Sequence, residues 1–361
     1  MPAANKIHTG FSRNIELFRR HADSFFRHNT FVKLANLCLI YLQKWTNRSR
    51  LSAHPFEIII DPVNICHLKC PLCPTGQRLN ARPHGRMSFK KYQGIIDELA
   101  KWLYKVRFYS WGEPLLHKDI YRMIAYANEG NIGTEISTSL NAFDQSDTGR
   151  LLESGLELLI ISLDGLDSQT YSHYRVGGDF DKVIGNIRAI VQEKKKRGTK
   201  YPVIELQFLV MRHNEHQVPD LNKLAKDLGV DRVKTGPVTI NIYNGDDHMW
   251  LPSDEQGSRY AYSTMVDKLY SRRIKCEWLW RSTVINWDGT VTPCCVYEGK
   301  KSELGSLDDA SFNDIWNSKA YIASRETFIG KPNKTGRSAT TICTRCKGIP
   351  TAHDRKQHGL Y

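Results

Sequence analysis

"FEIIIDPVNICHLKCPLC", Phe56 to Cys73, sets a short isoleucine-rich run directly before three cysteines, Cys66, Cys70 and Cys73. The run Phe56–Ile60 reads as a buried strand. Five more β-rich runs follow, at Lys105–Ser110, Gly133–Thr138, Leu156–Asp164, Val203–Val210 and Asp231–Gly236. Amphipathic helical stretches lie between them, at Ser88–Leu103, Asp119–Glu129, Asp181–Lys196 and Glu215–Leu228. Strands that alternate with helices predict a parallel sheet, and right-handed crossovers curl six such units one way. The expected fold is α/β: a partial (β/α)6 TIM-like barrel, with a helical N-terminal extension and a small C-terminal cysteine-rich module. In such barrels function gathers at the C-terminal ends of the strands. The three cysteines stand at that rim.

The 361 residues are 40% apolar and 25% charged, a globular composition with room for a sizeable core. No secretory pattern opens the chain, so a cytoplasmic location is expected. The longest apolar run near the N-terminus, Leu34–Leu42 interrupted by Asn36, is far short of the roughly 20 residues that cross a bilayer. Nine cysteines in a reducing compartment suggest metal or redox chemistry rather than disulfides. Residues 1–55 carry nine Lys/Arg against Glu16 and Asp23, which is +7 of the chain's +13. With Phe18, Phe25, Phe26, Phe31, Leu34, Leu37, Ile40 and Tyr41 at helical spacing, this segment reads in two ways. It packs on the barrel with a solvated basic face, or residues 1–50 make a peripheral contact with an anionic membrane, at its inner face. Cys38, on the apolar side of that helix, is expected in the core. No nucleic-acid partner is expected.

Cysteines at i, i+4 and i+7 can ligate three irons of a cubic cluster and leave the fourth open. A zinc site completed by His67 or His84 is the alternative. The Cys66-x3-Cys70-x2-Cys73 spacing after the first strand resembles the radical S-adenosylmethionine (SAM) enzymes. The resemblance implies that SAM binds the open iron and is cleaved reductively to a 5′-deoxyadenosyl radical, which takes a hydrogen atom from a substrate carbon. It implies a reductase, flavodoxin or ferredoxin as electron donor. "YSWGEP" after the second strand resembles the family's Gly-Gly-Glu-Pro run, with Trp111 in place of the first glycine, and implies SAM contacts from Gly112 and Glu113. "STSLN" and "ISLDG" after the third and fourth strands imply Ser162 and Asp164, and "YRVGGDF" implies Arg175 facing the SAM carboxylate. Leu206, Phe208 and Val210 read either as an adenine wall or as ordinary core.

Cys276, Cys294, Cys343 and Cys346 resemble the SPASM/twitch extension of this family, which holds auxiliary iron–sulfur clusters. "STVINWDGTVTPCC" reads as a hairpin turning at Asp288-Gly289. No cysteine follows Cys346 in the last 15 residues, so a single auxiliary 4Fe–4S cluster is expected, two clusters in all. Structural zinc on the same four thiolates is the alternative. Cys295 is left over, as a substitute ligand, a hydrogen donor or a packed side chain. The expected domains are 1–55, the barrel 56–240, a linker 241–271, the cluster module 272–349 and a tail 350–361. The expected function is radical SAM chemistry as an oxidoreductase, oxidising or rearranging a small molecule such as a sugar, polyol or lipid precursor. A peptide or protein maturase and a non-catalytic iron–sulfur binding or assembly protein are the alternatives.

Overall fold

The computed structural model describes residues 24–79, 82–240, 245–254, 258, 276–295, 299–329 and 340–346. The tail 350–361, Phe18 and most of the 241–271 linker lie outside the described residues. Six strands, β1 (Glu57–Ile60), β2 (Lys105–Phe108), β3 (Gly133–Thr138), β4 (Leu158–Ser162), β5 (Val203–Val210) and β6 (Arg232–Pro237), run parallel, each beside its neighbour in the chain. They are the six expected units, trimmed by one to two residues at several ends.

The helices between them begin where short polar side chains take up orphan N–H groups. Ser88 accepts from the Lys91 N–H, Asp167 from Thr170 and Asp179 from Lys182. The stretch expected as one helix from Glu215 is a 3-10 turn to Asp220 followed by the α-helix Leu221–Leu228, and Pro219 sits inside the turn. Proline lacks the N–H that a continuous α-helix would need there.

The sheet does not end at β1. Strand β7 (Ser282–Ile285) pairs parallel to it, and β8 (Thr290–Thr292) and β9 (Gly305–Ser306) add antiparallel, giving the order β6-β5-β4-β3-β2-β1-β7-β8-β9. The expected hairpin is present, and Gly289 takes φ +90° in its turn, a left-handed value that favours glycine. The cysteine module therefore extends the barrel's own sheet.

Side chains alternate across this sheet. Ile58, Ile60, Val106, Phe108, Ile136, Leu159, Ile161, Ile204 and Leu206 share one apolar core with the helices. That places Leu206 in the core and removes it from an adenine wall. Several of the intervening positions on β1 to β3 are polar: Glu57 and Arg107 pair at 2.9 Å, Lys105 lies 3.5 Å from Glu135, and Tyr109, just past β2, donates to Glu135 at 3.2 Å. On the outside, the buried Arg325 donates to the carbonyls of Leu279, Ser49 and Trp316, joining the N-terminal segment to the module. Cys38 is exposed, against expectation, because its helix turns its apolar side outward.

Candidate active site

After β1 the chain makes the cysteine loop. Cys70 is buried, and Cys66 and Cys73 pack beside it against Leu68, Tyr174, Met211, Val238, Ile240, Trp250 and Leu251. The loop closes on itself: the Cys73 N–H donates to the Cys70 carbonyl at 3.1 Å and the Gln77 N–H to the Cys73 carbonyl at 2.9 Å. A Cβ at Gly76 would stand 2.6 Å from the Cys70 backbone, so only glycine closes the turn this tightly.

The loop after β2 lies on this one. A Cβ at Gly112 would be 1.7 Å from the Val63 carbonyl oxygen, inside any van der Waals contact. The Glu113 N–H donates to the Ile65 carbonyl at 2.9 Å, and the Trp111 N–H to the Asp61 carboxylate at 3.1 Å. The Thr75 hydroxyl donates to the Trp111 carbonyl. Trp111, which departs from the family's glycine, is thus held through its backbone. Asp61 and Thr75 were missed as site residues although both stand within two residues of the quoted strand or cysteines; their partners are 50 and 36 residues away.

Glu113 is buried, and its carboxylate accepts four hydrogen bonds. Oε1 takes the Thr138 hydroxyl at 2.6 Å and the Leu115 N–H at 3.2 Å; Oε2 takes the Ser139 N–H at 2.9 Å and hydroxyl at 2.7 Å. The "STSLN" run therefore serves first to hold Glu113. Asn141 at its end donates to the Tyr171 hydroxyl at 2.6 Å and accepts from the Asp179 N–H at 2.7 Å, fixing the helix Ser168–Tyr174.

That helix delivers Arg175. Asp164, fully buried, accepts from its Nε at 2.7 Å and pairs with its Nη2 at 2.5 Å, while the other carboxylate oxygen takes the Leu209 N–H at 2.7 Å. Arg175 Nη1 then lies 3.8 Å from Cys70 Sγ. Burial opposes the guanidinium's charge, yet Asp164 and Cys70 beside it hold its pKa well above the ordinary value. Asp164 is engaged on both oxygens. The next residue, Val176, accepts the Lys69 N–H at 2.8 Å, tying this turn to the cysteine loop. Ser162, half-buried, ends β4 on the same rim. Gly112, Glu113, Asp164 and Arg175 are thus all anchored on or beside the cysteine loop.

By themselves these thiols resist ionisation. Burial pushes Cys66 up to about 12, with a Leu68 N–H working the other way, and burial raises Cys70 against the pull of Arg175. A cationic metal cluster reverses this balance, because ligation holds the thiolate form. The donor set fits an iron–sulfur cluster: three thiols on one loop, an N–H aimed at the Cys66 sulfur and a guanidinium beside Cys70. Among the described residues, no three Cys, His, Asp or Glu side chains gather as the ligands of one ion do. Thiols that bind separate irons of a cube have no need to. Bound there, the cluster would supply the electron that cleaves SAM.

In the second set Cys343 is buried and Cys276, Cys294 and Cys346 pack on the same core. The Cys346 N–H donates to the Cys343 carbonyl at 3.2 Å, closing the Cys-x2-Cys turn. Burial raises Cys276, partly offset by the Leu279 and Trp278 N–H groups that point at its sulfur, and lifts Cys343 to about 12, eased by Ser324. Cys295, half-buried, has other neighbours: desolvation raises its thiol and it feels Arg107 and Glu57 of the barrel. Arg82 pairs at 2.9 Å with both Asp288 and Glu303, so the segment after the first cysteine loop is pinned to the module's hairpin.

A family model for the radical SAM superfamily matches residues 60–205, and one for the SPASM iron–sulfur cluster-binding domain matches 276–347. The chain is a radical SAM enzyme with a C-terminal SPASM module, and its cofactors are 4Fe–4S clusters and SAM. It is 25% identical over 288 residues to the tungsten-containing aldehyde ferredoxin oxidoreductase cofactor-modifying protein of Pyrococcus furiosus, covering 71% of this chain and 79% of that one. It is 25% identical over 286 residues to the PqqA peptide cyclase of Xanthomonas campestris, covering 73% of each. The fold is that of Streptococcus suis SuiB bound to SAM, with a TM-score of 0.61 at 16% identity over 90% of this chain and 75% of SuiB.

Proposed function

We propose that this protein is a radical SAM maturase that abstracts a hydrogen atom from a peptide. The observation that carries the substrate class is the similarity to PqqA peptide cyclase, which extends well beyond the barrel segment common to the superfamily. The fold is also compatible, since SuiB holds its precursor peptide on the same architecture. This reading, second to a small-molecule substrate on the sequence alone, now has the stronger support. Relatives include a cyclase and a synthase of Fe-coproporphyrin III, so the reaction class is put no more finely than radical SAM chemistry.

In this proposal Cys66, Cys70 and Cys73 hold the SAM-cleaving cluster, and Cys276, Cys294, Cys343 and Cys346 a single auxiliary one. Glu113 and Ser162 meet SAM, Gly112 lets the Glu113 loop lie close on the cysteine loop and meets SAM with it, and Arg175 faces the SAM carboxylate with Asp164 setting its angle. Arg175 suits that task because a planar, permanently charged guanidinium binds carboxylates bidentately. The domain limits 1–55, 56–240, 241–271, 272–349 and 350–361 are part of the same proposal.

The test is SAM turnover by the reduced, iron-loaded protein with synthetic peptides from short reading frames beside its gene. A peptide whose mass changes mole for mole with 5′-deoxyadenosine formed supports the proposal. Turnover stimulated by sugars, polyols or lipid precursors, with every peptide left unchanged, replaces it by the small-molecule reading.

A further inference from the structure

The helix Phe31–Trp45 is mounted with its polar side inward. Lys33 and Asn36 are 2% and 6% exposed. Lys33 Nζ donates to the Asn131 carbonyl at 2.5 Å, and Asn36 exchanges two 2.9 Å bonds with the His54 backbone. Gln43 accepts from the Ala53 N–H at 3.2 Å, and Lys44 pairs with Glu277. Of the large aliphatic side chains on this helix, Ile40 is the one fully buried.

The opposite side is apolar and open to solvent. Phe31 is 87% exposed, Leu34 39%, Tyr41 55%, Leu42 52% and Trp45 81%, with Cys38 exposed among them. Positions 31, 34, 38, 41 and 45 recur every three or four residues and form one stripe of the helix. Seven of the ten exposed large apolar side chains among the described residues fall between Phe26 and Trp45.

Exposed cations stand at the C-terminal end of the stripe. From Ser24 to Phe56 the chain has no Asp or Glu; Lys33 is buried on the inward side, and Arg27 and Lys44 pair with Glu157 and Glu277. Arg48 and Arg50 are exposed just beyond Trp45. Among the described residues no helix is long and apolar enough to cross a membrane. An exposed aromatic stripe that ends in two exposed arginines, on a segment without its own acidic residues, fits the headgroup layer of an anionic bilayer, where aromatic side chains insert and cations meet lipid phosphates.

We propose that the helix Phe31–Trp45 lies flat in the surface of an anionic membrane and seats the barrel on it. The inference is independent of the substrate class. It is tested on the full-length, iron-loaded protein by co-sedimentation with phosphatidylcholine vesicles containing or lacking phosphatidylglycerol, at low and high salt. The expected result is salt-sensitive binding to the anionic vesicles only. Replacing three exposed aromatics together (Phe31→Ser, Tyr41→Ser, Trp45→Ser) should lower the partition coefficient at least about tenfold, with iron content and SAM cleavage unchanged. Arg48→Glu with Arg50→Glu should weaken binding and flatten its salt dependence. Intact protein that stays in the supernatant at low salt overturns the proposal, as does binding that survives the aromatic triple change. A dimer that the triple change converts to monomer, without vesicle binding, assigns the face to a second copy and also overturns it.

Discussion

Glu113→Gln keeps the shape of a buried side chain and removes its charge, and the four donors around it set the consequence. Glutamine offers one acceptor oxygen where the carboxylate offers two. If the amide nitrogen replaces Oε2, it meets the Ser139 N–H at 2.9 Å, a donor that cannot rotate away. If it replaces Oε1, the donor left over is the longer Leu115 N–H at 3.2 Å, and the Thr138 hydroxyl can turn to accept. Thr138 already accepts from the Leu140 N–H at 2.8 Å and has one further lone pair for this. The second orientation therefore wins. It leaves one weak buried donor unmet and turns charge-assisted bonds into neutral ones, costing about 1–3 kcal/mol. Because the Thr138 and Ser139 donors to this carboxylate join the Glu113 loop to the end of β3 beside the cysteine loop, SAM affinity should fall with stability. Urea unfolding and equilibrium SAM binding on iron-loaded protein measure the two. Ser139→Ala, which removes a single neutral donor, should move both in the same direction by less. A Gln variant with wild-type stability and SAM affinity would refute the reasoning and show that the carboxylate's charge serves neither purpose.

Replacing Cys66, Cys70 and Cys73 together by Ala should remove about half the iron and all 5′-deoxyadenosine formation while the C-terminal cluster survives; zinc in the second site of the unmodified protein would contradict this. Asp164→Asn strips the counter-charge from Arg175 in a buried pair, and urea unfolding should report a loss of about 3–5 kcal/mol; a loss under about 1 kcal/mol would mean that solvent reaches the pair. His54 stacks on Trp102 with ring centroids 3.5 Å apart, and burial, aided by Lys101, pulls its pKa down to about 4. The unfolded chain binds that proton at about 6.5, so stability from His54 is full above that pH and declines as pH falls towards 4. Melting of the protein between pH 7 and 5 should show the decline, and His54→Phe should flatten it.

The order and type of the barrel elements were legible because they depend on neighbours in the chain. Apolar runs of strand length and capped amphipathic stretches name themselves locally, and β3 and β5 begin and end where the sequence places them. The cysteine spacing was legible for the same reason. The joining of β7 to β1 was not, since a parallel pairing between Glu57 and Ser282 leaves no mark at either residue. Nor was the work of Asp164, which reads as one more polar residue at a strand end until Arg175 is beside it.

The N-terminal helix separates the two kinds of information most sharply. Its sequence determined that it would be helical, amphipathic and basic. Only the tertiary structure decided which side faced the barrel, because that depends on what the barrel offers there. The Asn131 carbonyl, the His54 backbone and Glu277 present polar partners, which Lys33, Asn36 and Lys44 satisfy. Once those bonds are made, the apolar stripe from Phe31 to Trp45 is left facing outward.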